Sequence, residues 1–565
     1  MSSTACLLCP PLWSRGRPVL PSAAYDRGVS AAVTSQTGTG VAAEEVAPPH
    51  RPTRAPAPAV QVPEAVRRRL VPFDARLNRH SWLAAGLVTL IAAILRLVNL
   101  EHPRGKIFDE TYYATEAQAL LRHGVEWDLD NNVAKYVVHP PLGKWMIAVG
   151  EWLFGYNELG WRISAAVVGI ASVLMLARIG RRLFGSTALG CAAALLMALD
   201  GMHFVMSRSA LLDIFLMFFL LAAFGCLLLD RDARRRRWLA FMEAGGDPTR
   251  RGRSGRPPLS WRGGVPWWRL AAFAFAGCAL GVKWSAAFFV SFLILLVVIW
   301  EAGARRSAGV RKPWRDTFLD ELGWVLAGVA VMVVTYLATW TGWFLSDSGY
   351  GRHRIAAEGG TELPVIGALL NLARYHLDAY GFHSTLEAPH TYQSWPWQWL
   401  LLGRPVAFYW SDAGPCEAPP CAAEVLLLGT PVLWWSFLIA LPLLAFFGIA
   451  RRDWRALAIG LGALTALLPW FYYATGNRTM FYFYALPAEP FLVLAVAYVL
   501  GAVMTPRPGA PASLAATDRR TVGAVAAGGY LVLVALCFAY FYPIYTGQSM
   551  TYAGWAARMW LNTWI

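Results

Sequence analysis

Lysine is nearly missing from this chain: there are five, against 45 arginines, in 565 residues of which only 15% are charged. The imbalance between the two cations reflects GC-rich coding, points to a bacterial source and carries no chemistry. The shortage of charge does. With 56% hydrophobic residues, 27 Trp and a mean hydropathy of +0.41, the composition excludes an ordinary soluble domain and is that of a membrane protein. No signal peptide is visible, and no internal repeat of the kind expected of a transporter. The eight cysteines offer little framework, since Cys191, Cys226, Cys278 and Cys537 fall in apolar runs, where a small buried thiol is the plain reading. Cys6 and Cys9 form a C-x-x-C without further ligands.

What is there begins with a polar, Ala/Pro/Arg-rich tail over residues 1–80, expected to be disordered and cytoplasmic. From Ser81 onward the chain is a series of apolar stretches, each near the ~20 residues that cross a ~30 Å hydrocarbon layer. Eleven are expected, at about 82–100, 162–182, 186–206, 209–229, 269–282, 284–302, 323–345, 425–449, 456–475, 480–504 and 521–543. This is an all-α polytopic body over 81–545, with a short segment, 546–565, after it. Placing the N-terminus in the cytoplasm puts 35 of the 50 Lys and Arg on that side and 13 on the other, with the C-terminus outside. The basic runs Arg231 to Arg237 and Arg250 to Arg256 are then orientation signals, and nucleic acid is not expected as a partner. Two outer segments are large, 101–161 and 346–424, both rich in Trp, Tyr, His and Pro, as expected of interfacial helices and loops that carry a site. Cys416 and Cys421 lie in the second, flanking Glu-Ala-Pro-Pro, where a local structural disulfide is open.

Polar groups are expensive at a membrane edge, and the first outer loop holds the most informative ones. It begins Lys106-Ile107-Phe108-Asp109-Glu110-Thr111-Tyr112-Tyr113. Adjacent carboxylates point about 100° apart on a helix and cannot flank one bond from two sides, so they do not suit glycoside hydrolysis. They suit a reaction in which one carboxylate deprotonates an acceptor hydroxyl and the other supports the acceptor side. Read alone, the pair is a helix cap or a solvated pair. The cations change that reading: Arg96, Arg162, Arg208, Lys283 and Arg478 all fall at the outer edge of spans. Singly each is a snorkelling side chain; together they favour an anionic lipid headgroup, a phosphate above all.

The motifs Phe108-Asp109-Glu110, His139-Pro140-Pro141-Leu142-Gly143-Lys144, Ser207-Arg208-Ser209-Ala210-Leu211-Leu212-Asp213, Gly281-Val282-Lys283-Trp284 and Arg478 through Phe481-Tyr482-Phe483-Tyr484-Ala485-Leu486-Pro487-Ala488 run in order from about 82 to 545, with Arg162 heading a span. In these the sequence resembles the protein O-mannosyltransferases, multispanning enzymes of the GT-C type. The resemblance implies transfer of mannose, with inversion, from polyprenyl-phosphate mannose to Ser or Thr hydroxyls of translocated polypeptides, at the outer face of a bacterial cell membrane. It implies Asp109 as catalytic base and Glu110 on the acceptor side. Arg162 is the first candidate for the lipid phosphate, with Arg96, Arg208, Lys283 and Arg478 beside it; His139, Tyr113 and Lys144 are the substrate-binding candidates. The departing polyprenyl phosphate is a stable anion that needs cations and not a general acid, so neither metal nor other cofactor is expected. Membrane lipid and the Sec translocon are the further partners implied. Where eukaryotic members insert a β-trefoil MIR domain, residues 346–424 are too few for one. A sister transferase acting on a glycan or lipid acceptor would share the architecture, and a transporter of lipid-linked sugars is the more distant alternative.

Other polar groups have plainer readings. Asp128-Leu129-Asp130 matches a metal-binding D-x-D but lacks the α/β setting of that motif. Asp200 and His203 are expected to share a helix face, and Asp213 to pair with a nearby donor such as Arg208. Asn477-Arg478-Thr479 matches a glycosylation acceptor but hugs a span. The aromatic run from Trp470 to Tyr484 is belt composition or the lining of a groove. His376, His383, Glu387, His390, Trp395 and Trp397 lack a compact zinc pattern and fit acceptor recognition better.

Overall fold

The computed structural model describes residues 62–72, 78–249, 264–504 and 514–565. Among these, nine helices are long and apolar enough to cross a membrane. Two shorter apolar helices, Thr187–Ala198 and Trp267–Leu280, complete eleven segments at the expected places. Their limits follow from local chemistry. Asn78 opens Arg79–Leu97 by accepting from His80 N, Asn157 opens Glu158–Phe184 by accepting from Gly160 N, and Gly185 closes it at φ 65°. Asp213–Glu243 and Tyr482–Met504 are the innermost, with 83% and 78% of their apolar windows buried against 11% for Pro313–Thr339. The cavity described below is built on the ends of these inner helices.

Three expectations are corrected. The third span is two helices, Thr187–Ala198 and Gly201–Met206, because Asp200 caps the second. Its carboxylate accepts from Met202 N and His203 N at 3.1 and 3.2 Å, and from Thr430 N and Trp434 Nε1 at 3.0 and 2.8 Å. Asp200 is therefore a cap and does not share a helix face with His203. The eighth span begins at Pro431, since Cys421–Leu427 is a strand paired antiparallel with Val406–Ser411, Val406 opposite Leu427. Its run of buried residues reads as helix because a short continuous apolar stretch has no period. In the tail, Glu64–Leu70 is helical and Leu70 is buried beside Trp238, Ala304 and Val310; residues 1–61 and the Arg250–Arg256 run lie outside the described residues.

The first outer loop contains two helices, Glu110–His123 and Leu142–Phe154, joined through a small hairpin pairing Trp127–Asp128 with Val133–Ala134. Leu142–Phe154 is seated on Glu158–Phe184 by close backbone approach: a Cβ on Gly150 would lie 2.3 Å from Gly160 O. The second outer segment contains helix Ile366–Ser384 and the Val406–Leu427 hairpin, with Cys416 and Cys421 joined in a disulfide. Residues 546–565 fold onto that hairpin: Met550–Thr551 adds a third strand, and Trp555 Nε1 donates to Glu424 at 2.6 Å.

Candidate active site

Asp109 occupies the cap position of Glu110–His123, yet its side chain makes no capping bond. Among the described residues its carboxylate accepts no hydrogen bond, which removes the cap reading. The backbone around it is held from both sides. Phe108 sits at φ 47°, a left-handed conformation that a bulky residue keeps only when its surroundings impose it. Here its ring stacks on Phe408 at 4.6 Å and meets Phe481 and Phe483 edge-on at 6.3 and 6.1 Å. On the other side Glu110 is fully buried and accepts four bonds: Ile107 N at 3.0 Å, Ala210 N at 2.9 Å, and Arg162 Nε and Nη2 at 2.9 and 2.8 Å. Both oxygens are occupied. Glu110 thus holds the backbone beside Asp109, with both oxygens engaged inside the protein.

Three of the five cations are engaged within the protein. Arg162 spends its remaining donors on Leu100 O, Pro103 O and Gly105 O, so no N–H is left for a phosphate. Arg208 donates to Leu95 O, Arg96 O, Val98 O and Asn99 O, closing the end of the first span. Arg96 is fully buried and bonded to His203 Nδ1 at 2.7 Å and to Ala198 O. A cation at a span edge is visible in sequence; what it faces is not. Lys144 is likewise engaged, by ion pairs with Glu126 and Glu116 and a bond to His139 O, and so braces the loop.

Lys283 and Arg478 stand differently. Both line a cavity of about 360 Å³ together with His139, His383, Trp284 and Tyr484. Lys283 Nζ reaches Asp213 at 2.6 Å, so Asp213 pairs with Lys283 and not with Arg208. Arg478 donates from Nε to His383 O and from Nη1 to Thr479 O, and its Nη2 makes no hydrogen bond among the described residues. Its guanidinium lies 5.9 Å from the rings of Trp470, Tyr473 and Tyr484, which hold it by cation–π contact. Of the two readings of the aromatic run, the lining of a groove is the one realised for these three residues.

The electrostatics join Asp109 to that cavity. Burial raises the Asp109 carboxyl to about 6; Lys283 pulls it down, while Asp213 and Glu116 push it up. A carboxylate poised there is ionised at neutral pH and still basic enough to take a proton. His139 is held well below its ordinary range by burial and then by Lys283, so it stays neutral, 5.2 Å from the His383 ring and 6.3 Å from Tyr113. Trp284, which sequence reasoning did not single out as a site residue, is fixed by a relay: its Nε1 donates to Tyr336 Oη, which bonds His376 Nε2. Asp128 accepts from Asp130 N, Asn131 N and Asn131 Nδ2, so the D-x-D is an exposed turn. No group of three or more His, Cys, Asp or Glu able to hold a metal occurs among the described residues.

A mostly helical, multispanning membrane body with two cations lining a cavity at one end has the architecture of a GT-C glycosyltransferase. The fold matches that of the S. cerevisiae protein O-mannosyltransferase Pmt1-Pmt2 complex bound to the sugar donor, with TM-score 0.66 and 15% identity over 88% of this chain and 94% of that one. Residues 86–246 match the dolichyl-phosphate-mannose-protein mannosyltransferase family, and residues 369–564 match the C-terminal four TMM region of protein-O-mannosyltransferase. The polyprenol-phosphate-mannose--protein mannosyltransferase of Mycolicibacterium smegmatis is 39% identical over 532 residues, 91% of this chain and 97% of that protein. The Corynebacterium glutamicum protein of the same name is 30% identical over 504 residues, 86% and 94% of the two chains. The chain belongs to the protein O-mannosyltransferase family, and it is a multispanning membrane protein.

Proposed function

We propose that this protein transfers mannose from polyprenyl-phosphate mannose to Ser or Thr hydroxyls of polypeptides, with Asp109 as base and the donor phosphate between Lys283 and Arg478. One observation carries the reading: a carboxylate without a hydrogen-bond partner among the described residues, its pKa near 6, feels the charge of a lysine that lines a cavity with a second cation. The hydroxyl oxygen bonds to mannose C1 as the bond from C1 to the phosphate oxygen breaks. The proton passes to Asp109, and the electron pair leaves on the phosphate, where the cations stabilise it. The leaving group is already an anion, so the step needs no metal. Attack from the face opposite the leaving group inverts the sugar.

The distribution of Arg and Lys supports an N-terminus in the cytoplasm, with the cavity of Lys283 and Arg478 and the C-terminus outside a bacterial plasma membrane. In that orientation the acceptor is a translocated chain, delivered as the Sec translocon delivers one, and the donor arrives within the lipid.

The test is mannose transfer by purified protein in detergent to a Ser/Thr/Pro/Ala-rich peptide, with chelator present. Mannose on a peptide hydroxyl, indifferent to chelator and absent with Asp109→Asn, is the expected result. Arg478→Gln should raise the donor KM about tenfold with less effect on kcat, as loss of one charge-assisted contact does; an unchanged donor KM would move the phosphate elsewhere. Turnover only when a glycan or lipid replaces the peptide would assign the sister reaction.

A further inference from the structure

The helix Asp213–Glu243 carries Asp213 at the cavity and Arg231 eighteen residues on, about 27 Å away at 1.5 Å per residue. At that far end a second cavity, of about 600 Å³, opens where several helices meet the Glu64–Leu70 segment. Seven arginines line it, against two acids, Asp232 and Asp453. The acids are taken: Asp232 pairs with Arg182 and Arg231 at 2.5 and 3.2 Å, and Asp453 with Arg455 at 2.6 Å. Arg69, Arg235 and Arg452 make no ion pair among the described residues. The Nε atoms of Arg231 and Arg235 are buried there without a hydrogen-bond partner. A concave, partly dehydrated surface with this excess of guanidinium calls for a multivalent anion.

The cavity does not end in solvent alone. Between Pro431–Arg451 and Trp454–Thr475 runs an apolar groove of about 640 Å³, lined by Leu441, Leu444, Ile449, Leu457, Leu461 and Leu464. Groove and cavity share Arg452, Asp453 and Trp454. Arg452 makes the turn between the two helices, at φ 50°, and so stands where the apolar and basic surfaces meet. A free phosphate would leave the groove without purpose, and a neutral lipid would leave the arginines uncompensated.

We propose that this joined space is a binding site for an anionic phospholipid, its phosphate headgroup among the arginines and an acyl chain along the groove. The ligand lies at the end of the bundle opposite the cavity of Lys283 and Arg478 and takes no part in the transfer chemistry. It fastens the Glu64–Leu70 segment, through Arg68 and Arg69, to the ends of the spans.

Native mass spectrometry of the full chain in detergent tests this, by titration with phosphatidylglycerol and with phosphatidylcholine of identical chains. Phosphatidylglycerol should bind about tenfold more tightly, as one or two engaged arginines imply. Combining Arg235→Gln with Arg452→Gln should erase the preference. Gly460→Phe should weaken both lipids, because a Cβ there meets only Leu444, at 3.8 Å, and the ring fills the groove. Equal binding of the two lipids by the unaltered chain would overturn the proposal without recourse to any variant. So would displacement of phosphatidylglycerol by inorganic phosphate with no effect of Gly460→Phe, which would make the cavity a site for free phosphate.

Discussion

At the Asp109 end of the bundle Lys283 meets one carboxylate, Arg478 meets none among the described residues, and both face a cavity. At the far end, buried among the spans, Arg269 alone meets three: Asp230 and Glu301 at 2.8 Å and Glu321 at 2.6 Å. Arg234 bridges Glu301 and Glu321, and Arg305 bridges Asp320 and Glu321. Burial alone therefore does not mark a functional cation. What separates the two regions is whether the charge is cancelled inside the protein or left for a ligand to cancel. The same contrast exists between neighbours, since Glu110 has every lone pair it needs engaged and Asp109 has none engaged among the described residues.

The sharpest way to break the comparison is at Asp109. Asp109→Asn keeps the volume, loses the base and removes no hydrogen bond, so transfer should fall about a thousandfold with the thermal midpoint unchanged. Activity near that of the native chain would dissolve the distinction between the two carboxylates. At the other end Arg269→Met should do the reverse. It leaves buried Asp230 without its ion-pair partner and takes one cation from Glu301 and Glu321, which keep Arg234 and Arg305; it should cost about 3–5 kcal/mol of stability, seen as a lower midpoint in detergent, while the protein that remains folded keeps its kcat.

Glu110→Gln tests the link between the two behaviours. The amide cannot accept both Arg162 bonds as the carboxylate does, so stability and kcat should fall together, kcat by about tenfold through misplacement of Asp109. The donor KM should stay the same. A rise in acceptor KM alone would instead return Glu110 to the acceptor side, where the sequence motif had suggested it.

The spans were legible because hydropathy is additive along a chain, and the eleven segments stand where expected. The break at Asp200 was not, because its cause is Thr430 and Trp434, which are 230 and 234 residues away. The strand Cys421–Leu427 was misread for want of any period in a fully buried run. Of the residues singled out by type and motif, Lys283, Arg478 and His139 line one cavity, and Asp109 feels the charge of Lys283. Arg162, Arg96, Arg208 and Lys144 have the same types at similar positions, and only their bonded partners show that they brace the structure. Asp213 and Trp284 were missed as site residues because their roles depend on contacts with Lys283 and with the Tyr336–His376 relay.

The smallest predicted effect is the most specific. Asp109 must be ionised to accept a proton, and burial holds it near 6, so kcat/KM should be level above about pH 6 and fall tenfold per unit below it. Lys283 pulls that value down, and it also neutralises Asp213, which pushes it up. Lys283→Met removes both effects in one direction. The acid limb should therefore move upward by about one unit, a shift typical of losing one neighbouring charge. Part of the rate lost at pH 7 should return when the assay is run in more alkaline buffer. A simple loss of phosphate contact would raise the donor KM but leave the limb where it was. Arg269→Met, at the far end, should leave the limb in place, because the acid it uncovers, Asp230, lies seventeen residues along the helix from Asp213, about 25 Å away, where its field at Asp109 is small. A limb that moves equally in both variants would show that the two ends are electrostatically continuous, and that the partition between cancelled and waiting charge does not organise this protein.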